Sequence, residues 1–142
     1  MEVISSIIKV IGSSEAITKF YANGLLSVMI KEAALLDTEF ILETKKVMDS
    51  LKIDKKFFVI SESQGFYRVS QEARQLSASR EISDNIGAVA VVTNISTRLI
   101  FDLYTKINKP FVMKKAFTRR EIALQWLKEQ MGDQWHITGA TA

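Results

Sequence analysis

The chain has no cysteine, one histidine and six glycines in 142 residues. Without cysteine there is no disulfide framework, no thiolate nucleophile and no cysteine metal site, and a reducing compartment suits the chain. The single histidine, His136, falls in the expected C-terminal tail, which argues against a Ser-His-Asp triad and against a histidine-rich metal centre. Gly65 stands alone in its loop, so no glycine-rich phosphate cradle is present. Long apolar runs are missing as well. The run Ile4–Ile11 is led by Glu2 and broken by Lys9, whereas a signal peptide starts basic and a membrane span needs about 20 apolar residues. These absences predict a cytoplasmic protein with no membrane association and no bound metal or cofactor.

What is present is an ordinary globular composition, 47% hydrophobic and 25% charged, in a chain long enough to bury one core. The net charge of +3 is unevenly spread. Lys106, Lys109, Lys114, Lys115, Arg119 and Arg120 fall together without an intervening acid. They read as a solvated edge whose lysines discourage sheet pairing. No interleaved stacking aromatics accompany them, which disfavours nucleic acid as a partner.

The best-punctuated stretch is Lys109–Met131. Pro110–Met113 is a short apolar strand. Thr118 and Glu121 have the spacing of a capping box, with Phe117 and Ile122 as its hydrophobic staple. Ile122, Ala123, Trp126, Leu127 and Met131 then recur on one helical face, and Gly132 ends the helix. The arginines in its first turn oppose the helix dipole, which hints at an anionic contact there.

Upstream, residues 1–12 fit an amphipathic helix or an edge strand. Ala16–Ala22 and Leu25–Lys31 read as strands joined by Asn23-Gly24, a type I′ hairpin signal. Asp37 caps a helix that buries Phe40, Ile41, Thr44, Val47, Met48 and Leu51. Phe57–Ile60 is a continuous apolar run of the kind covered on both faces, and Ser61–Val69 is a polar loop. Ser70 caps a helix to about Ser79. Ala88–Val92 is a second fully apolar strand, followed by a helix over Ile95–Ile107 that buries Ile95, Leu99, Leu103 and Ile107.

This order predicts an α/β fold: a five-stranded mixed sheet, an N-terminal antiparallel hairpin followed by parallel strands, with four helices over both faces. Residues 15–131 form the single domain, between an N-terminal segment, 1–14, and a C-terminal tail, 132–142, that includes Trp135.

The opening hairpin, the element order, Lys106-Ile107-Asn108-Lys109-Pro110 and the closing Phe117–Leu127 resemble the SpoIIAA-like or STAS-like superfamily. The likeness runs over about residues 15–131 and is nearest to uncharacterised STAS-like proteins of Bacteroidetes-type bacteria. It implies a bacterial, non-catalytic regulatory module acting through a protein partner. In the anti-sigma-factor antagonists of that group a regulatory serine starts the helix after the third strand, within Asp-Ser-Ser-Gly. Ser70 falls at about that place, but Val69, Gln71 and Glu72 flank it, so here it is expected to act as a helix cap worth about 1 kcal/mol.

Ligands of open α/β sheets gather beyond the carboxyl ends of parallel strands. Those ends bring together Ser61, Glu62, Ser63, Thr93, Asn94, Lys114 and Lys115, with Arg68, Ser70 and Ser96-Thr97-Arg98 along the same edge. Helix N-termini, hydroxyls and an arginine are suited to an anion. Catalysis is not expected, since Glu62 is the lone acid of the cluster and nothing supplies a partnered base. Phe66 and Tyr67 are candidates for an interaction surface or the roof of an apolar pocket. The leading functional expectation is a protein-interaction module, and the competing one is a small-molecule or lipid binder using the strand-end edge. A homodimer is a further expectation, because Ile4, Ile7, Ile8 and Val10 need cover.

Overall fold

The structure, a computed structural model, describes residues 5–51, 55–95 and 112–137. The helix expected over 95–107 therefore lies, beyond Ile95, outside the described residues, as do Pro110, Phe111 and the last five residues. Ile95 itself is exposed rather than buried.

The main sheet has six strands, one more than expected. β1 (Ile7–Gly12), β2 (Ala16–Tyr21), β3 (Leu25–Ile30), β5 (Phe57–Ser63), β7 (Ile86–Val92) and β8 (Met113–Phe117) lie side by side in that order. β1–β2 and β2–β3 are antiparallel, and every later pair is parallel. The extra strand is β1: the ambiguous N-terminal segment pairs along one side of the hairpin. A two-stranded parallel patch, β4 (Leu35–Leu36) with β6 (Arg68–Val69), sits apart from the main sheet. The expected loop over Ser61–Val69 is thus partly strand at both ends.

The hairpin forms where the sequence indicates, with a different turn. Gly24 N–H donates to Tyr21 C=O at 3.0 Å, and only Gly24 has a positive φ, 94°. Asn23 stays out of the left-handed region, and its side chain is fully engaged. Its Oδ1 accepts from Leu25 N–H (2.9 Å) and its Nδ2 donates to Trp135 C=O (3.2 Å). Asn23 N–H also donates to Ser5 Oγ at 3.0 Å. The residue is fully buried, and these bonds satisfy it.

Helices α1 (Thr38–Ser50), α2 (Gln71–Ser77) and α3 (Arg80–Ser83) belong to crossovers between parallel strands, and α4 (Arg120–Met131) follows β8. Asp37 caps α1, accepting from Phe40 N–H at 3.0 Å. The helix expected from Ser70 to about Ser79 is α2, which ends at Ser77. Ser79 Oγ then donates back to Leu76 C=O (2.6 Å) before a further short, unexpected helix, α3. One core cluster joins Leu25, Phe58, Ile60, Ala88, Ala90 and Phe117 to Ala123, Leu127 and Met131 of α4. The other, on the opposite face, joins Phe20, Leu26, Val28, Ile30 and Phe57 to Met48 of α1, with Phe40, Val47 and Leu51 against it. Strand alternation divides these residues between the two faces.

The end of the chain departs most from expectation. The strand predicted over Pro110–Met113 is β8, at Met113–Phe117. Thr93 N–H donates to Phe117 C=O (2.7 Å), and the Phe117 ring lies 5.5 Å from Trp126 at 48°. With the strand extended through Phe117, Thr118 falls one residue before the capping position. Arg119 is the N-cap, with no side-chain bond, and Ile122 is 51% exposed instead of stapling to Phe117. Gly132 does end the helix, at φ 58°. The chain then makes a 3₁₀ turn, Gly132–His136, that buries Trp135 in the α4-side core, so this residue is not part of a loose tail. Among the described residues no helix is long and apolar enough to cross a membrane.

Candidate functional site

On the face opposite α4, the described residues line a cleft of about 1150 Å³. That exceeds the usual range for small-molecule pockets, about 300–1,000 Å³. Its floor is the α1-facing side of the sheet: Leu26, Val28 and Ile30 of β3, Val59, Ser61 and Ser63 of β5, Val89 and Val91 of β7, and Lys114 of β8. Phe40, Ile41, Thr44 and Met48 of α1 form one wall, and Arg74 and Ser77 of α2 lie along another. The stripe of α1 read from the sequence is largely half-buried because it faces this cleft.

The strand-end candidates gather here in part. Ser61, Ser63, Phe66, Tyr67, Arg68 and Asn94 all border the cleft. Tyr67 packs against the α1-side core, and burial pushes its hydroxyl above the usual tyrosine range. Phe66 does the opposite and is 76% exposed. Ser70 has its hydroxyl occupied as the cap of α2, accepting from Ala73 N–H at 3.1 Å. Ser96, Thr97 and Arg98 lie outside the described residues.

Glu62 touches the cleft, but by alternation it shares the face of Ile60, beneath α4. There it forms an ion pair with Arg120, the first residue of α4. Sequence reasoning placed Glu62 with the cleft serines and overlooked Arg120 as its partner. The signal was nevertheless present: an arginine opposing the helix dipole needs an anion, and the anion is a carboxylate of the same chain.

The lysine pair also moves. Because β8 runs to Phe117, Lys114 and Lys115 lie within the strand, not beyond its end. They point to opposite faces. Lys115 is on the α4 side, its Nζ 5.6 Å from the centroid of Phe117. Lys114 is on the cleft side, paired in register with Val89, which is level with Val59 and Leu26. Its side chain therefore starts from the β8 end of an apolar row on the floor. Burial pushes its amine below the usual lysine range. Among the described residues no carboxylate pairs with it.

Comparison with known proteins addresses the fold. The family described as "Domain of unknown function (DUF7793)" matches residues 19–131. A solved structure from Shewanella loihica PV-4, an uncharacterized protein of the DUF3478 family with a SpoIIAA-like fold, aligns with a TM-score of 0.52 at 14% identity. The alignment covers 89% of this chain and 97% of that one. No curated protein matches. At such low identity the likeness bears on architecture alone, and the architecture is SpoIIAA-like.

Proposed function

The chain belongs to the DUF7793 family, a domain of unknown function, and we propose that it is a non-catalytic binding module that holds a small molecule in the cleft between α1, α2 and the sheet. The observation that carries this reading is convergence. Separate segments (β3, α1, β5 with its loop, β7 and β8) contribute to one concave, mostly apolar surface with a few polar groups. Such a surface is the usual form of a small-molecule site. The absence of catalysis is argued from the groups that border it. Among the described residues, Ser61 and Ser63 have no histidine beside them, and the carboxylate between them in the chain, Glu62, is turned to the other face and paired with Arg120. No nucleophile is set against a base there among the described residues.

Native mass spectrometry of freshly purified protein tests this. A co-purifying molecule is expected, and it should be lost from Val89→Phe, which fills the floor. Retention of the same molecule in that variant, or the failure of every small-molecule fraction of a cell extract to bind, would count against a cleft site.

A second reading, a protein-interaction module, draws on a different surface. Strand β1 is an edge strand that leaves Ile7, Ile8 and Val10 exposed, and exposed apolar edges favour pairing with another chain. For a homodimer through this edge, sedimentation should show a dimer that Val10→Lys dissociates. A monomer at every concentration would remove this reading.

A further inference from the structure

We propose that the ligand of this cleft is a monocarboxylate with a long apolar body, and that Lys114 is its ionic anchor. The inference rests on the cleft being a ligand site and specifies what enters it. Lys114 supplies the charge complementarity. It sits on β8, at one edge of the cleft floor, level with Val89, Val59 and Leu26, with no carboxylate partner among the described residues. An ammonium held against apolar walls without an anion is costly. A ligand carboxylate relieves that cost with a charge-assisted hydrogen bond.

The other cleft-side charges are accounted for differently. Lys45 is held by Asp49 (3.3 Å) and Asp84 (3.1 Å). Glu62 is held by Arg120 on the far face. Arg68 and Arg74 are exposed, where water screens them. Among the described residues that leaves one unopposed positive charge on the floor, which matches one negative charge on a ligand. A phosphate would call for several converging donors, such as a helix N-terminus or an arginine fork, and the floor around Lys114 is valine and leucine.

The apolar body has a path to follow. From Lys114 on β8 the floor runs across β7 and β5 to Leu26 on β3. Three strand spacings of about 4.8 Å make roughly 14 Å of apolar surface. Phe40, Ile41 and Met48 of α1 face the same space. The geometry therefore fits a chain laid across the strands, with its carboxylate toward the β8 edge.

The test is titration of the full chain with dodecanoate, dodecan-1-ol and dodecyltrimethylammonium, each below its micelle concentration. Dodecanoate should bind at least about tenfold tighter than the alcohol, as a charge-assisted hydrogen bond predicts, and the cationic amphiphile should bind weakest. Lys114→Met should lower dodecanoate affinity by about the same factor and leave the alcohol unchanged. Lys114→Arg should keep the preference for dodecanoate. In the unaltered protein, dodecanoate affinity should fall as rising pH deprotonates Lys114, and in Lys114→Met it should stay flat over that interval.

Equal binding of dodecanoate and dodecanol by the unaltered protein would overturn the proposal, as would undiminished dodecanoate binding by folded Lys114→Met. The head-group comparison needs no variant, so misfolding of one cannot rescue the idea. A neutral molecule found in the cleft would refute the carboxylate anchor and leave the cleft reading intact. No binding by any of the three amphiphiles, with no co-purifying molecule, would refute both.

Discussion

Replacing Glu62 by glutamine should destabilise the fold by about 2 kcal/mol, and the reasoning can be checked through its partner. Arg120 occupies the first position of α4, where the positive end of the dipole makes a cation unfavourable by about 0.3–1 kcal/mol. Glu62 offsets that. Its side chain is 16% exposed and that of Arg120 is 36% exposed. The pair therefore falls between surface pairs, worth about 0–1 kcal/mol, and buried pairs, whose disruption costs about 3–5 kcal/mol. A hydrogen bond to a charged group contributes about 1.5–3 kcal/mol, which puts this partly exposed pair at about 2 kcal/mol. Arg120→Met should cost less, about 1 kcal/mol, because it also removes the dipole conflict and leaves a carboxylate near a helix start. The double variant should then be less destabilised than the two single changes summed, by about 1 kcal/mol. Urea unfolding followed by the fluorescence of Trp126 and Trp135 reads all four proteins. With a slope of about 1–3 kcal/mol per molar, the Glu62→Gln midpoint should fall by roughly 1 M. Additive effects, with coupling below about 0.3 kcal/mol, would mean the two charges do not stabilise each other.

Other expectations are more local. Asn23→Ala removes acceptor and donor from Leu25 N–H and Trp135 C=O in a fully buried setting, and should cost about 3 kcal/mol by the same denaturation assay. In Gly87→Ala the new Cβ would lie 2.5 Å and 2.6 Å from ring carbons of Phe58. An overpacking cost of about 1–3 kcal/mol is expected, and an unchanged midpoint would show that the ring yields freely. Lys114 should give a pH signature in the ligand-free protein. Its folded-state amine titrates below the unfolded lysine value of about 10.4. Between those two values the unfolded chain holds more protons, so the contribution of Lys114 to stability rises with pH across that window. The difference between the unaltered protein and Lys114→Met, measured as urea midpoints, should show that slope. A difference that is flat with pH would mean that the amine is not desolvated.

Much of the architecture was legible because it rests on local chemistry. Asp37 and Ser70 announce helix starts with side chains that can only reach their own backbone, and both do so. Phe57–Ile60 is apolar on both faces because both faces meet core, whereas Ala88–Val92 turns Ala88 and Ala90 to the core and Val89 and Val91 to the cleft. What local reasoning missed was decided at a distance. Thr118 and Glu121 have capping spacing, yet the strand runs through Phe117, tied by the bond from Thr93 and the contact with Trp126, and the helix starts one residue late, with Arg119 as its N-cap. Gly132 correctly ended a helix, and nothing nearby indicated that Trp135 would return to the core. For the site, the strand-end residues were found but not their faces. Alternation alone could have separated Glu62 from Ser61 and Ser63, since Ile60 on the same side is core. It could equally have sent Lys114 and Lys115 apart once β8 was placed.

The junction at Asn23 also constrains the order in which the chain can fold. Its backbone N–H and side-chain oxygen are satisfied by neighbours early in the chain, but its side-chain donor waits for Trp135, 112 residues later. At synthesis rates of about 5–20 residues per second, that partner follows roughly 6 to 22 s behind. Gln134 arrives with it and donates to Asn23 C=O at 2.8 Å and to Lys56 C=O at 2.6 Å. During synthesis the hairpin turn therefore keeps unmet polar groups, and water must serve them until the final turn docks.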